Sequence, residues 1–195
     1  MLMPRRKEFD REEVLMKAMA VFRDKGYEAT SMEDLVRRMG INRFSLYQTF
    51  KSKHGLFVQA LQAYYEKVAI PFFSRLRDSD QGLRVLETTL MRMVSRVKTG
   101  ESPNGCLLCN TIAELGAKRD KRTTAILTGY LNRIESDFHA VLVRAKALRE
   151  IPLNVNTRER AKVLVAYSTG LLSLAKVLNE REMRASVRAT MAALR

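Results

Sequence analysis

Between Ile41 and Lys53 the chain reads INRFSLYQTFKSK, with Gly40 immediately before it. Arg43, Phe44, Ser45, Tyr47, Gln48, Lys51 and Lys53 crowd into roughly three helical turns. These residue types share one chemistry. A guanidinium bonds two acceptors of guanine at once, a serine hydroxyl serves either base type, and a phenyl ring packs on a thymine methyl. Gln48 falls one turn beyond Phe44 and Ser45, on roughly the same side. Tyr47, Lys51 and Lys53 suit phosphates, which position a duplex without reading it. The competing reading of the same residues is an ordinary amphipathic helix with a solvated polar side.

The other reactive groups lie in SPNGCLLCNTIAELG, residues 102–116. With Asn104 as the cap, Cys106 falls in the first turn of a short helix, where the helix dipole favours thiolate. Helical spacing then groups Cys106, Cys109, Asn110 and Ala113 on one face, and Leu108, Thr111, Ile112 and Leu115 on the other. A helix apolar on both sides is expected in the middle of a bundle. Cys106, Cys109 and Asn110 are the candidate effector or thiol-sensing residues. Plain packing is the competing reading, since a buried cysteine is usually a small inert hydrophobe. The Cys-x-x-Cys spacing has no second ligand pair, and His54 and His139 are distant in sequence, so neither a metal nor a cofactor is expected. Two thiolates holding a cuprous ion is a minor alternative.

The elements that must position these groups are helical. Asp10 with Glu13 resembles a capping box, and Val14, Ala18, Val21 and Phe22 follow at helical spacing up to Gly26. Ser31 caps a second helix with Glu33 and Asp34 in its first turn, Arg37 and Arg38 near its end, and Gly40 as its stop. Asn42 caps the next, through Phe50, with Leu46 and Phe50 turned onto Leu35 and Met39. Ser52 caps a longer one carrying Phe57, Leu61, Tyr64 and Val68. Beyond Pro71, apolar periodicity marks helices at Leu83–Val97, from about Cys106 to Leu115, along Leu127–Leu148, and over 158–178 and 182–194. Tyr64, Phe72, Phe73, Phe138 and Tyr167 are candidate cavity-lining aromatics, and His139 is expected to face solvent.

The net charge of +14 fits an anionic partner, but residues 1–60 carry only +4 of it, so bulk charge locates no binding face. Charged residues interrupt every hydrophobic stretch, which excludes a membrane span. The basic N-terminus lacks a following apolar segment, and two cysteines make no disulfide framework, so a cytoplasmic setting is expected. No nucleophile–base pair, phosphate-cradling glycine loop or partnered carboxylate pair points to an enzyme. The expected fold class is all-α.

A helix, a glycine-bearing turn and a second short helix with exposed polar groups describe a helix-turn-helix. GYEATSMEDLVRRMGINRFSLYQTFKSKHGLF, within a stretch from residue 10 to about 68, resembles the DNA-binding domain of TetR-family transcriptional regulators. The resemblance implies a helix-turn-helix domain at 1–55 and a helical effector-binding and dimerisation domain at 56–195. It implies that Thr30, Tyr47 and Lys53 meet phosphate while Arg43 and Ser45 face bases. Arg38-Met39, Phe44 and His54-Gly55 depart from the family pattern, which leaves the operator sequence open. The cysteine segment resembles the Gly-Cys-Leu stretch of NemR- and AcuR-like members, some of which respond to electrophiles or small unsaturated compounds.

The resemblance further implies a homodimer joined by a four-helix bundle. Leu164, Tyr167, Ser168, Leu171, Leu174, Ala175 and Leu178 form a stripe suited to that contact, continued by Ala189, Met191, Ala192 and Leu194, with Gly170 permitting close approach. The expected partners are therefore a double-stranded operator, a second copy of the chain and a small-molecule effector. The expected function is a repressor that the effector releases from a palindrome, with a thiol-based sensor as the alternative.

Overall fold

A computed structural model describes residues 9–100, 104–116 and 120–195, and all regular structure among them is helical. The first three helices are α1 (Arg11–Lys25), α2 (Met32–Met39) and α3 (Arg43–Phe50). Each begins at a residue whose side chain can serve the orphan amides of the first turn. Asp10 accepts from the amides of Glu12 and Glu13, and Asn42 accepts from that of Ser45. Ser31 and Asp34 close a full capping box. Glu13, expected to complete such a box at α1, pairs with Lys17 one turn on.

The small helices share one core. Phe22, Leu35, Leu46 and Leu56 are fully buried, and Met39, Phe50 and Phe57 nearly so. Phe22 meets Phe57 edge to face, ring centroids 5.1 Å apart. Because Phe22 is fully buried against the rings of Tyr27 and Phe57, Phe22→Ala is expected to cost about 3–5 kcal/mol of stability, read as a lower urea midpoint with unchanged slope.

The chain next forms α4 (Lys53–Tyr64), a π-helical turn (Tyr65–Ala69) and α5 (Ile70–Asp78) without a break. Ser52 caps α4 by accepting from Gly55. A Cβ on Gly55 would lie 2.2 Å from the Phe50 carbonyl oxygen, so only glycine lets α4 start this close to the end of α3. The sequence pattern carries α4 as far as Val68 and marks no helix between Pro71 and Leu83, where the structure places α5. Pro71 sits in the first turn of α5, where its missing N–H is tolerated, and the widened turn precedes it.

The remaining helices are α6 (Leu83–Lys98), α7 (Leu107–Leu115), α8 (Lys121–Ala147), α9 (Thr157–Leu174) and α10 (Glu180–Ala192). The long α8 forms the spine and packs against α5, α6 and α9. Leu127, Tyr130, Ile134, Phe138, Val141 and Ala145 fill its inner face as expected, whereas Leu148 is exposed beyond its last turn. The short α7 lies between α1, α4, α8 and α9, as its apolar character requires. No described helix is long and apolar enough to cross a membrane.

Candidate functional site

The candidate reading surface is α3. Ile41, Leu46 and Phe50 face the core, which leaves the opposite side outward. Arg43, Phe44, Tyr47, Gln48 and Lys51 are exposed and Ser45 half-exposed, with Phe44 as much as 72% accessible. The Arg43 guanidinium carbon lies 5.8 Å from the Tyr47 ring centroid, and its nearest anion is Glu33 at 3.8 Å. That pair is long and solvated, so Arg43 can exchange it for another acceptor at little cost.

The platform beneath is rigid. Asp34 accepts from Lys25 at 2.6 Å and Arg37 at 2.9 Å, and from the Ser31 amide at 3.1 Å. The Lys25 bond, with the capping contacts from Ser31, holds the Asp34 pKa down to about 2. Lys51 closes α3 with φ of +71°, the left-handed region a lysine rarely adopts, and turns the chain sharply toward α4. Lys53 is half-buried. Its Nζ donates to the Glu28 carbonyl at 3.3 Å and stands 4.6 Å from the Tyr27 ring centroid.

Thr30 corrects the expectation. Its side chain is 1% exposed and its hydroxyl donates to the Gly26 carbonyl, so it cannot offer that group to a phosphate. The turn between α1 and α2 folds over it, and the neighbouring Ser31 takes the exposed position.

The second site is a narrow apolar cleft between the α4–α5 rod, α6, α7, α8 and α9, with about 430 Å³ of empty space including its mouth. Tyr64, Val68 and Ala69 reach it around the π-helical turn, joined by Phe72, Phe73, Arg96, Cys106, Tyr130 and Leu172. Of the expected aromatics, Phe138 is core instead, and Tyr167 bonds Ser186 at 3.1 Å away from the cleft. His139 is half-buried outside the lining.

Cys106 is not in the first turn of α7; it is the capping residue itself. Asn104 is drawn elsewhere, its amide donating to Asp24 at 3.1 Å. The Cys106 thiol is lowered to about 7, foremost by the hydrogen bond from the Cys109 thiol, then by the Cys109 amide, the Tyr64 hydroxyl and the Leu108 amide, against the cost of burial. Cys109 moves well above the usual thiol range because it donates to Cys106 and is buried. Tyr64 and Tyr130 are likewise pushed up, chiefly by burial. The Tyr130 hydroxyl lies 3.7 Å from the Cys109 sulfur. Among the described residues no group of three or more His, Cys, Asp and Glu is placed to hold a metal.

Asn110 also departs from expectation. It does not line the cleft but faces the end of α1, its side-chain amide donating to the Asn104 carbonyl at 2.8 Å and the Arg23 carbonyl at 3.4 Å. One turn later, Glu114 accepts from the backbone amides of Tyr27 at 2.9 Å and Glu28 at 2.7 Å. Gly26, with φ of +81°, is required beneath this clamp, since a Cβ there would approach the Glu114 carboxylate to 2.7 Å. Helix α7 thus runs from the thiol cleft at its capping residue to the turn before α2 at Glu114, next to its last residue. Sequence reasoning missed Glu114; the signal was a polar pair four residues apart on an otherwise apolar helix. A second tie joins His54 of α4 to Asp120, the cap of α8, at 3.0 Å.

The expected dimer stripe divides in two. Leu164, Ser168, Leu171 and Ala175 are buried within their own subunit, as are Met191 and Leu194, and Leu178 is half-buried. The exposed face of α9 carries Val163 and Leu174, with Tyr167 and Gly170 partly accessible between them, and Val177 continues it in the turn that follows. Beside it, Ala185, Ala189 and Ala192 line the outer face of α10.

Comparisons with known proteins agree with this geometry. Residues 14–60 match the family of bacterial regulatory proteins of the tetR type, and residues 82–191 match the tetracyclin repressor-like C-terminal domain. The chain is 31% identical over 149 residues to the HTH-type transcriptional regulator YezE of Bacillus subtilis, covering 76% of each. It is 27% identical over 168 residues to the transcriptional repressor ComR of Escherichia coli, covering 86% of this chain and 80% of ComR. A cysteine mutant of the TetR-family regulator CifR, bound to a 26-base-pair operator duplex, superposes with a TM-score of 0.83 at 26% identity, covering 98% of this chain and 100% of that one. The chain belongs to the tetR family of bacterial regulatory proteins, DNA-binding transcriptional regulators and not enzymes.

Proposed function

We propose that the protein is a homodimeric repressor released from a palindromic operator by a small molecule bound in the apolar cleft. Residues 1–55 form the reading unit and 56–195 the effector-binding and dimerisation unit. In this reading Arg43, Ser45 and Gln48 meet base edges, Phe44 packs on thymine methyls, and Tyr47, Lys51 and Lys53 hold phosphates. The face of Val163, Tyr167, Gly170 and Leu174 on α9, continued by Val177 and flanked by the small residues of α10, joins two copies so that their reading helices meet successive turns of the duplex.

The observation that carries the effector role is the span of α7. Its first end borders the cleft at Cys106 and its last grips the Tyr27–Glu28 turn through Glu114. Occupancy that displaces α7 biases the reading heads between two separations, and operator affinity follows. The clamp is testable without an effector. Glu114→Ala removes two charge-assisted bonds, each contributing about 1.5–3 kcal/mol. Amide exchange at Tyr27 and Glu28 is expected to accelerate about tenfold or more; unchanged protection would mean that α7 does not hold the turn.

The function itself is tested by retaining genomic fragments on immobilised protein and washing with small apolar compounds at constant salt. Specific retention with elution by a subset of compounds is the expected result. Retention no better than for random fragments removes the operator reading, and retention unmoved by every compound removes the effector reading. The thiol-sensing alternative is favoured by one observation, Cys106 in the wall of the cleft at the cap of α7 with Cys109 as the third residue of that helix.

A further inference from the structure

Five features of the cleft stand together. It contains one thiol, Cys106, among apolar walls formed by Val68, Phe72, Phe73 and Leu172. A second thiol, Cys109, 2% exposed, is the third residue of α7, whose cap is Cys106. The cap and the third residue of a helix are the two positions whose side chains turn toward each other in a capping box, which makes the two thiols neighbours. The amides opening α7 favour negative charge on Cys106. Two phenols, Tyr64 and Tyr130, border the same space and stay protonated because they are buried. A nucleophilic sulfur, a resolving thiol and neutral proton donors at the end of an apolar slot suit one reagent class: a peroxide with a hydrocarbon body.

We propose that Cys106 and Cys109 are a reactive dithiol that takes an alkyl hydroperoxide in the cleft and closes to an intramolecular disulfide. The Cys106 thiolate attacks the terminal peroxide oxygen, an S–O bond forms, the O–O bond breaks, and alkoxide leaves. The Cys109 proton, passed through the Tyr130 hydroxyl, converts the alkoxide to alcohol. The resulting Cys109 thiolate attacks the sulfenic sulfur, S–S forms, S–O breaks, and hydroxide departs. Each sulfur gives up one electron and the peroxide accepts two. The net products are a disulfide, an alcohol and hydroxide.

The closure has a mechanical consequence. A disulfide holds its two Cβ atoms at about 3.5–4.5 Å, so closure draws the capping residue of α7 against its third residue and shifts the start of the helix. The Cys106 carbonyl accepts from the Asn110 amide, and the Asn110 side chain bonds the end of α1, so the shift is delivered to the reading head. This step deepens the effector reading above and rests on it for its effect on DNA; the thiol chemistry stands separately.

The test treats the reduced full chain with cumene hydroperoxide or hydrogen peroxide and follows intact mass and free thiols. Expected are loss of two hydrogens per chain, disappearance of both thiols, and oxidation by cumene hydroperoxide about tenfold or more faster than by hydrogen peroxide, reflecting burial of the aromatic body. Cys109→Ser should halt at a sulfenic acid that dimedone captures, and Cys106→Ser should leave Cys109 unreacted, each with a native circular dichroism spectrum. Both thiols surviving in the native chain while they oxidise in urea would overturn the proposal. Equal rates with the two peroxides would overturn the assigned class. Oxidised protein should bind an operator about 5–150-fold more weakly; equal affinity of the two forms overturns the regulatory role. A reduced protein that prefers no duplex instead strikes the operator reading, and the mass result remains decisive for the dithiol.

Discussion

Leu174→Arg combined with Val177→Arg is expected to yield a folded monomer whose operator affinity falls at least about 100-fold. Both side chains lie on the outer surface, Leu174 at the end of α9 and Val177 in the turn after it, 52% and 84% exposed, so the substitutions open no cavity in the subunit. In a dimer the same positions face their symmetry mates, where buried unpaired guanidinium groups on both sides are strongly destabilising. A lone reading head keeps one half-site. Its affinity drops from the range of specific complexes toward the range set by phosphate contacts alone. Sedimentation velocity and fluorescence anisotropy on one duplex measure both effects. A double variant that remains dimeric would place the interface elsewhere.

Arg43→Ala carries the next largest effect. Its side chain is 62% exposed on the first turn of α3 and bound only loosely to Glu33 at 3.8 Å. Losing a bidentate contact to a base pair costs about 1–3 kcal/mol, roughly a 5–150-fold loss of affinity. The loss should erase preference at one symmetric pair of positions in the operator. Arg43→Lys should not restore it, because an ammonium lacks the planar fork. Lys51→Ala provides the contrast: a weaker, sequence-independent loss with a salt slope reduced by about one. Equal losses on every sequence for Arg43→Ala would reassign the residue to phosphate.

The reading head was legible because its determinants are local. Ser31, Asn42 and Ser52 each begin a helix by bonding an amide within three residues, and Leu46 and Phe50 repeat at the helical period. Thr30 misled because polarity does not report burial; its hydroxyl is satisfied by a carbonyl four residues back. Helix α9 misled for another reason. It is apolar on two sides, one row running through Leu164, Ser168, Leu171 and Ala175 and the other through Val163, Tyr167, Leu174 and Val177. Periodicity shows that both rows avoid water but not which one the subunit covers itself. The partners of Glu114 lie 86 and 87 residues away, and nothing local predicts them. Asn110 faces the end of α1 rather than the cleft, and Asn104, drawn to Asp24, leaves the cap of α7 to Cys106.

The central claim is that α3 reads duplex DNA in pairs. Its most direct test is selection of bound duplexes from a random pool by the purified full-length chain. The account predicts enrichment of a two-fold symmetric site whose half-sites are centred about 10 base pairs, or a multiple of that, apart. A selected pool indistinguishable from the input would contradict it.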